Sequence, residues 1–157
     1  MRTIGVMSTL HVVCPSCHTT NRLQEAHLER APNCGNCKKA LFTGHPVELD
    51  DSTFDKHILR DQVPVLVDFW APWCGPCRQM APAYEQAAFR LEPKIRVAKV
   101  NTDIASAVSQ RNRIRSIPTL ILFADGLEVA RQAGALTSAS QIVQWAKHHA
   151  AHMTQAG

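Results

Sequence analysis

The sequence lacks long apolar runs. Its longest apolar stretches are only a few residues, far short of the ~18 that a membrane-spanning helix requires. The amino-terminal stretch Met1–Met7 carries one basic residue and no apolar core, so it reads as neither a span nor a secretory signal. Met7 is as good a start as Met1. Charge is scarce as well: the net formal charge is +4, split as +3 over residues 1–47 and +1 over 48–157. Neither part shows the clustered basic face of a nucleic-acid binder. No Gly-x-Gly-x-x-Gly occurs, which removes the dinucleotide-binding fingerprint. The expectation is a soluble, cytoplasmic protein without membrane, nucleic-acid or organic-cofactor contacts.

What is present is a globular composition and six cysteines. The chain has 157 residues, 45% of them apolar and 19% charged, enough to bury a core and exclude disorder as its main character. The cysteines fall as three Cys-x-x-Cys pairs, Cys14/Cys17, Cys34/Cys37 and Cys74/Cys77. In a reducing compartment such pairs serve metal binding or redox chemistry more often than structural disulfides.

The first two pairs, Cys14-Pro-Ser-Cys17 and Cys34-Gly-Asn-Cys37, are separated by sixteen residues, the spacing of a four-cysteine zinc site. Each tight knuckle presents two thiolates, and two knuckles close a tetrahedron suited to an ion without geometric preference. Iron in the same four-sulfur set is the chemical rival. Leu23, Leu28, Leu41 and Phe42 are too few apolar groups to fold about 40 residues alone, so the module at 8–43 needs a metal or a partner surface. His18 is surplus to a closed four-sulfur site and is expected in solvent. His148, His149 and His152 are read as a solvated helix end.

The third pair keeps different company. Val65–Trp70 is a nearly continuous apolar run rich in β-branched residues, expected as a buried central strand. The chain from Cys77 onward reads as a helix, with Pro76 tolerated at its start and Pro82 predicting a kink or break. Cys74 then lies at a strand-to-helix turn, where free N–H groups and the helix dipole stabilise a thiolate.

Trp73-Cys74-Gly75-Pro76-Cys77 resembles the active motif of the thioredoxin family, and the resemblance extends over 46–150. Pro46–Leu49 suggests a first strand. Asp51 or Ser52 is expected to cap a helix running to Arg60, with Phe54, Ile58 and Leu59 on one face. Ile95–Val100 reads as a strand and Ile104–Gln110 as a short helix. Thr119–Phe123 and Leu127–Gln132 flank the hairpin signal Asp125-Gly126. Thr137 or Ser138 opens a last helix whose apolar face is Ile142, Val143, Trp145 and Ala146. The implied fold is α/β, a mixed central sheet sandwiched by helices, with a small N-terminal four-cysteine zinc ribbon and tails at 1–7 and 151–157. With that ribbon the chain is similar to the zinc-containing bacterial thioredoxins of the thioredoxin-2 type.

The resemblance also implies roles. Cys74 would be the nucleophile, Cys77 the resolving thiol and Asp68 the proton-transfer group, with Lys99 its neighbour. Ile117-Pro118-Thr119 resembles the family's cis-proline loop, which would present the Ile117 backbone to an extended substrate. Gly134-Ala135 resembles the facing wall of that groove. Gly75 and Pro76 complete the substrate contacts, Trp73 faces substrate, and Trp70 packs beneath. The implied function is a monomeric protein-disulfide reductase holding one structural zinc at Cys14, Cys17, Cys34 and Cys37. Its partners would be disulfide-containing client proteins and an NADPH-dependent thioredoxin reductase. An interaction protein whose zinc module binds a client is the alternative from another class. Replacing Cys74 separates the two.

Overall fold

The computed structural model describes residues 8–156, with side chains as far as Ala151. The stretch 1–7, with the choice between Met1 and Met7, and the His152 side chain lie outside the described residues.

Seven strands and four α-helices follow in order: β1 Thr9–Val13, β2 Thr20–Gln24, β3 Val47–Leu49, α1 Phe54–Arg60, β4 Val65–Trp70, α2 Gly75–Leu91, β5 Arg96–Asn101, α3 Ser106–Arg111, β6 Thr119–Ala124, β7 Leu127–Ala133 and α4 Ala139–Ala156. β1 and β2 form an antiparallel ribbon. The other five make one mixed sheet in the order β3-β5-β4-β6-β7. Its β3–β5 and β4–β5 pairs are parallel, and β4–β6 and β6–β7 antiparallel. The parallel pairing needs the α2 crossover, whereas β6 returns to β7 through Asp125 (φ 53°) and Gly126 (φ 79°), the doubly left-handed turn that fits strand twist.

Alternation along β4 divides the core. Val65, Val67 and Phe69 pack with Phe54 and Ile58 of α1 and Val108 of α3. On the other face, Leu66 packs with Met80, Tyr84 and Leu91 of α2 and Ile142, Val143 and Ala146 of α4. The mixed sheet between helices is therefore present.

Some local expectations are corrected. Leu59 is 66% exposed, so the buried face of α1 is Phe54, His57 and Ile58. The cap of α1 is not Asp51 or Ser52: Asp50 Oδ1 accepts from the backbone N–H groups of Ser52 (2.9 Å) and Thr53 (3.1 Å), and the helix begins at Phe54. Pro82 does not break α2, which continues through it to Leu91. Ile104 lies before α3 and is exposed. At the last helix Ser138 is the capping candidate that acts, its Oγ accepting from the Gln141 N–H at 3.1 Å.

The ribbon packs directly on the sheet domain. Val63 joins Val12, Leu28, Leu41, Cys14 and Cys34 in one buried cluster, supplying apolar surface that the small module lacks. Polar ties are buried with it. Arg96, at the start of β5, donates to the Val13 carbonyl (2.6 Å) and the Leu41 carbonyl (2.8 Å) and pairs with Asp61 at 3.4 Å. Asp61 accepts from the Val13 N–H at 2.8 Å, and its other oxygen lies 3.0 Å from His57 Nδ1. His18 is not solvated as expected: its Nδ1 is 3.1 Å from His57 Nε2, extending the buried chain into the ribbon. Glu92 accepts from the Gly44 N–H (3.0 Å), fastening the linker as well.

Candidate functional site

The Cys74–Cys77 pair is a disulfide where β4 meets α2, with Cα atoms 5.3 Å apart. Cys74 is the N-cap of α2, and its sulfur accepts from the Cys77 N–H at 3.2 Å. That contact and the dipole of a 17-residue helix favour negative charge on Cys74 once the disulfide opens. The two cysteines do not differ in exposure, at 4% and 3% of the residue. Ala71 is buried in one cluster with the two cysteines, and Trp70 and Ile117 pack against it. The asymmetry lies instead in position: Cys74 is the cap, and its sulfur is 3.7 Å from the Ile117 carbonyl oxygen.

The loop that supplies Ile117 has a cis Ile117–Pro118 bond, the isomer implied by the resemblance. Gly134 stands opposite, donating its N–H to the Pro118 carbonyl at 2.9 Å. Its φ of 92° calls for glycine, although a Cβ there would touch nothing within 4 Å. Trp73 is 66% exposed beside the pair, with its indole N–H held 3.0 Å from Asp103 Oδ2. Gly75 and Pro76 open the helix between the cysteines.

Asp68 is buried on the α2-facing side of β4, between Leu66 and Trp70. The sheet register aligns Glu48, Lys99 and Asp68 in one row across β3, β5 and β4. Burial pushes the Asp68 carboxyl up to about 7, partly opposed by Lys99 and reinforced by Glu48. Its Oδ1 has no hydrogen-bond partner among the described residues. Lys99 Nζ sits 4.2 Å from the Trp70 ring centroid, and Trp70 donates to Glu48 at 3.3 Å. Trp70 is thus a half-buried support for this charge row.

The four remaining cysteines converge away from this pair. All four sulfurs lie within 4.8 Å of one another, with Cys14–Cys37 at 3.6 Å and Cys17–Cys34 at 3.7 Å. A regular tetrahedron with Zn–S bonds of about 2.3 Å places its sulfurs about 3.8 Å apart, close to these two distances, so the set is of the right size for zinc. The first sulfur of each knuckle accepts N–H groups two and three residues on: Ser16 and Cys17 for Cys14, Asn36 and Cys37 for Cys34, at 3.3–3.5 Å. Hydrogen bonds to Thr19 and Asn36 hold the Cys17 thiol down to about 5. Cys37, despite the Lys39 backbone N–H that favours its thiolate, is pushed up to about 11 by burial and the other sulfurs. Four thiolates therefore need a cation among them.

Sequence reasoning missed the His18–His57–Asp61–Arg96 chain. Its one sequence signal is the i,i+4 spacing of His57 and Asp61 at the end of α1. It also missed a basic cluster formed by Arg111, Arg113, Arg115 and Arg131, because β7 brings Arg131 to a segment far from it in sequence.

A cysteine pair capping a helix beside a cis-proline loop defines a thiol-disulfide oxidoreductase. The family model described as "Thioredoxin" matches residues 45–148, and the one described as "Thioredoxin 2, N-terminal" matches 13–39. The chain belongs to the thioredoxin family and carries that family's zinc-ribbon extension. It is similar to "Thioredoxin C-3" of Corynebacterium nephridii, 42% identical over 134 residues, which covers 85% of this chain and 91% of that protein. It is also similar to "Thioredoxin 1" of a Nostoc species, 50% identical over 99 residues, 62% of this chain and 92% of the relative. Against chloroplastic "Thioredoxin M-type" of Spinacia oleracea it is 42% identical over 90 residues, 57% and 50% of the two chains. Among the described residues no helix is long and apolar enough to cross a membrane.

Proposed function

We propose that this protein reduces disulfides in client proteins and is returned to its dithiol form by an NADPH-dependent thioredoxin reductase. The observation that carries the reading is Cys74 as the helix cap with its sulfur against Ile117. It joins an activated nucleophile to a backbone edge on which an extended client can lie. The Cys74 thiolate attacks one client sulfur, forming a mixed disulfide and releasing the other client sulfur as a thiolate. Cys77 then attacks Cys74 sulfur, closing the internal disulfide and releasing the second client thiol. Two electrons and two protons pass to the client, and the reductase restores both. Asp68, titrating near neutrality, is matched to accept the Cys77 proton as that thiol becomes a nucleophile. Trp73, Gly75, Pro76, Ile117, Pro118 and Gly134 form the client groove.

Cys14, Cys17, Cys34 and Cys37 would hold one zinc ion, whose contribution is to tie the two knuckles together. Zinc is chosen over iron because the matching amino-terminal family is a zinc ribbon, since the four sulfurs alone suit either metal. We assign 8–43 to the ribbon and 46–150 to the redox domain, acting as a monomer in the cytoplasm.

The test is NADPH oxidation with insulin as substrate and thioredoxin reductase present, together with metal analysis. Cys74→Ser abolishes turnover and keeps one zinc per chain. Cys17→Ser loses the metal and retains the Cys74 reaction. A folded, zinc-loaded wild type that cannot turn over would refute the reductase reading and favour a binding role.

A further inference from the structure

The basic cluster beside the cis-proline loop has a feature that the redox chemistry does not use. Arg111, Arg113, Arg115 and Arg131 line one open cavity of about 590 Å³ together with Ser116 and Thr119. Two of the four guanidinium groups are already compensated. Arg111 pairs with Asp55 at 2.7 Å. Arg131 pairs with Glu128 at 2.8 Å and donates to the carbonyls of Asn112 (2.7 Å) and Arg113 (3.2 Å). Arg131 therefore braces the loop from which Arg113 and Arg115 project. Those two side chains are exposed and have no hydrogen-bond or ion-pair partner among the described residues. The cavity thus holds two uncompensated positive charges on a braced loop.

Its location relates it to the reaction. Arg115 is two residues before Ile117, whose carbonyl touches the Cys74 sulfur at 3.7 Å, and two extended residues span only about 7 Å. Thr119 lines the cavity and follows Pro118, so the cis-proline loop is a wall shared by cavity and groove. On the Trp73 side both signs are present and already engaged: Asp103 accepts from the indole N–H and Arg78 donates to the Pro72 carbonyl at 2.9 Å. A client strand lying along Ile117 would meet positive charge within about four residues of its reacting cysteine.

We propose that Arg113 and Arg115 are specificity-determining residues that dock acidic side chains flanking a client disulfide. This rests on the reading of Cys74 as the nucleophile in protein-disulfide reduction. Guanidinium groups pair with carboxylates in a planar two-point fit, and exposed charges at the rim of a docking surface act mainly on encounter rate and salt dependence. The occupant is a protein segment rather than a nucleic acid, because the patch is one short cavity with no aromatic side chain on which bases could stack.

The experiment uses the full-length, pre-reduced protein in stopped flow. Two disulfide peptides are compared, identical except that Asp and Glu beside the cysteines in one are Asn and Gln in the other. At low ionic strength the acidic peptide reacts roughly tenfold faster, and high salt removes the advantage. Arg113→Gln with Arg115→Gln lowers the acidic peptide to the rate of the neutral one, while the double Lys variant retains part of the preference. Double substitution to Glu reverses it in favour of a peptide with Lys flanks. Equal rates for the two peptides in the wild type would overturn the proposal, as would an advantage that survives the double Gln variant. It would also be overturned if the variants slowed only recycling by the reductase, or if a DNA oligonucleotide competed as well as the acidic peptide. Binding of a labelled, disulfide-free acidic peptide to the oxidised protein reads the patch without chemistry. Loss of all peptide reduction with that binding intact would refute the reductase reading and leave the docking site standing.

Discussion

The four-cysteine ribbon and the Cys74–Cys77 site use the same local device to opposite ends. In all three pairs the first sulfur accepts the N–H of the second cysteine, at 3.4 Å for Cys14, 3.5 Å for Cys34 and 3.2 Å for Cys74. In all three the first carbonyl accepts the N–H of the residue after the pair, at 2.9, 2.9 and 3.1 Å. The paths diverge at that next residue. His18 (φ 62°) and Lys38 (φ 70°) turn the chain left-handed, folding each knuckle back so that its sulfurs face the opposite knuckle. Arg78 instead continues α2, and each active-site sulfur finds its partner within its own pair. Cys-x-x-Cys supplies two sulfurs on one turn. The backbone beyond the second cysteine decides between a metal cage and a reversible disulfide.

The largest effect comes from severing the two regions. Arg96 is buried, pairs with Asp61, approaches Glu92 to 3.7 Å and satisfies the Val13 and Leu41 carbonyls of the ribbon. Arg96→Met leaves two buried carboxylates without their cation and deprives the Val13 and Leu41 carbonyls of its donors, a loss of about 3–5 kcal/mol. Urea unfolding measures it. Hydrogen exchange would show protection lost first in the ribbon and β5, with Cys74 reactivity retained in the molecules that remain folded. Unchanged stability would mean that the ribbon and the redox domain stand independently.

The parts of this arrangement that were legible in the sequence are those in which one segment carries both the residue and its reason. The β4 run, the helix after Cys77, the Asp125-Gly126 turn and the metal-cage spacing are each local. The tie between the regions is not. Arg96 opens a strand beside Ile95 and Val97, where an arginine ordinarily marks the solvent end, and only the ribbon's carbonyls explain its burial. His18 looked spare because its partner, His57, is on another element. Leu59 fits a helical apolar stripe yet lies beside the hairpin, its side chain 3.1 Å from where a Cβ on Gly126 would sit. The roles of Asp68 and Pro118 came through family resemblance. Alternation puts Asp68 in the sheet but does not connect it to a thiol.

A smaller effect, confined to the redox side, comes from Asp68→Asn. A rise in the carboxyl pKa from 3.8 to about 7 through burial corresponds to roughly 4 kcal/mol held against the ionised form. The unfolded chain releases this proton near 3.8, whereas the folded protein keeps it to about 7. Stability is thus unaffected by Asp68 below pH 3.8, falls as pH rises between the two values, and stays reduced above pH 7. Asp68→Asn is therefore near neutral at pH 4 and stabilising by about 2–4 kcal/mol at pH 8, read by denaturant melts at both. The same variant slows closure of the Cys74–Cys77 disulfide most near neutral pH, where the carboxylate would take the proton. It leaves zinc content unchanged, which separates the two cysteine sites again.

The smallest effect isolates the divergence of the chain paths itself. Lys38 is left-handed at φ 70°, a conformation that costs a non-glycine residue about 1–2 kcal/mol. Lys38→Gly relieves that strain but gives the unfolded chain more freedom, worth about 0.4–1 kcal/mol in the other direction. It also removes the Nζ bond to the Gly35 carbonyl at 2.7 Å, an exposed contact of little net value. The expected result is a gain of about 0.5 kcal/mol in the ribbon, with zinc affinity retained. Arg78→Gly at the equivalent position of the active pair has the opposite sign. Arg78 lies in the first turn of α2, so glycine there costs about 1 kcal/mol of helix propensity and loses the guanidinium bond to the Pro72 carbonyl at 2.9 Å. Thermal melts of the two variants should move in opposite directions. If both lose stability, the left-handed residue is not what distinguishes a knuckle from a helix cap.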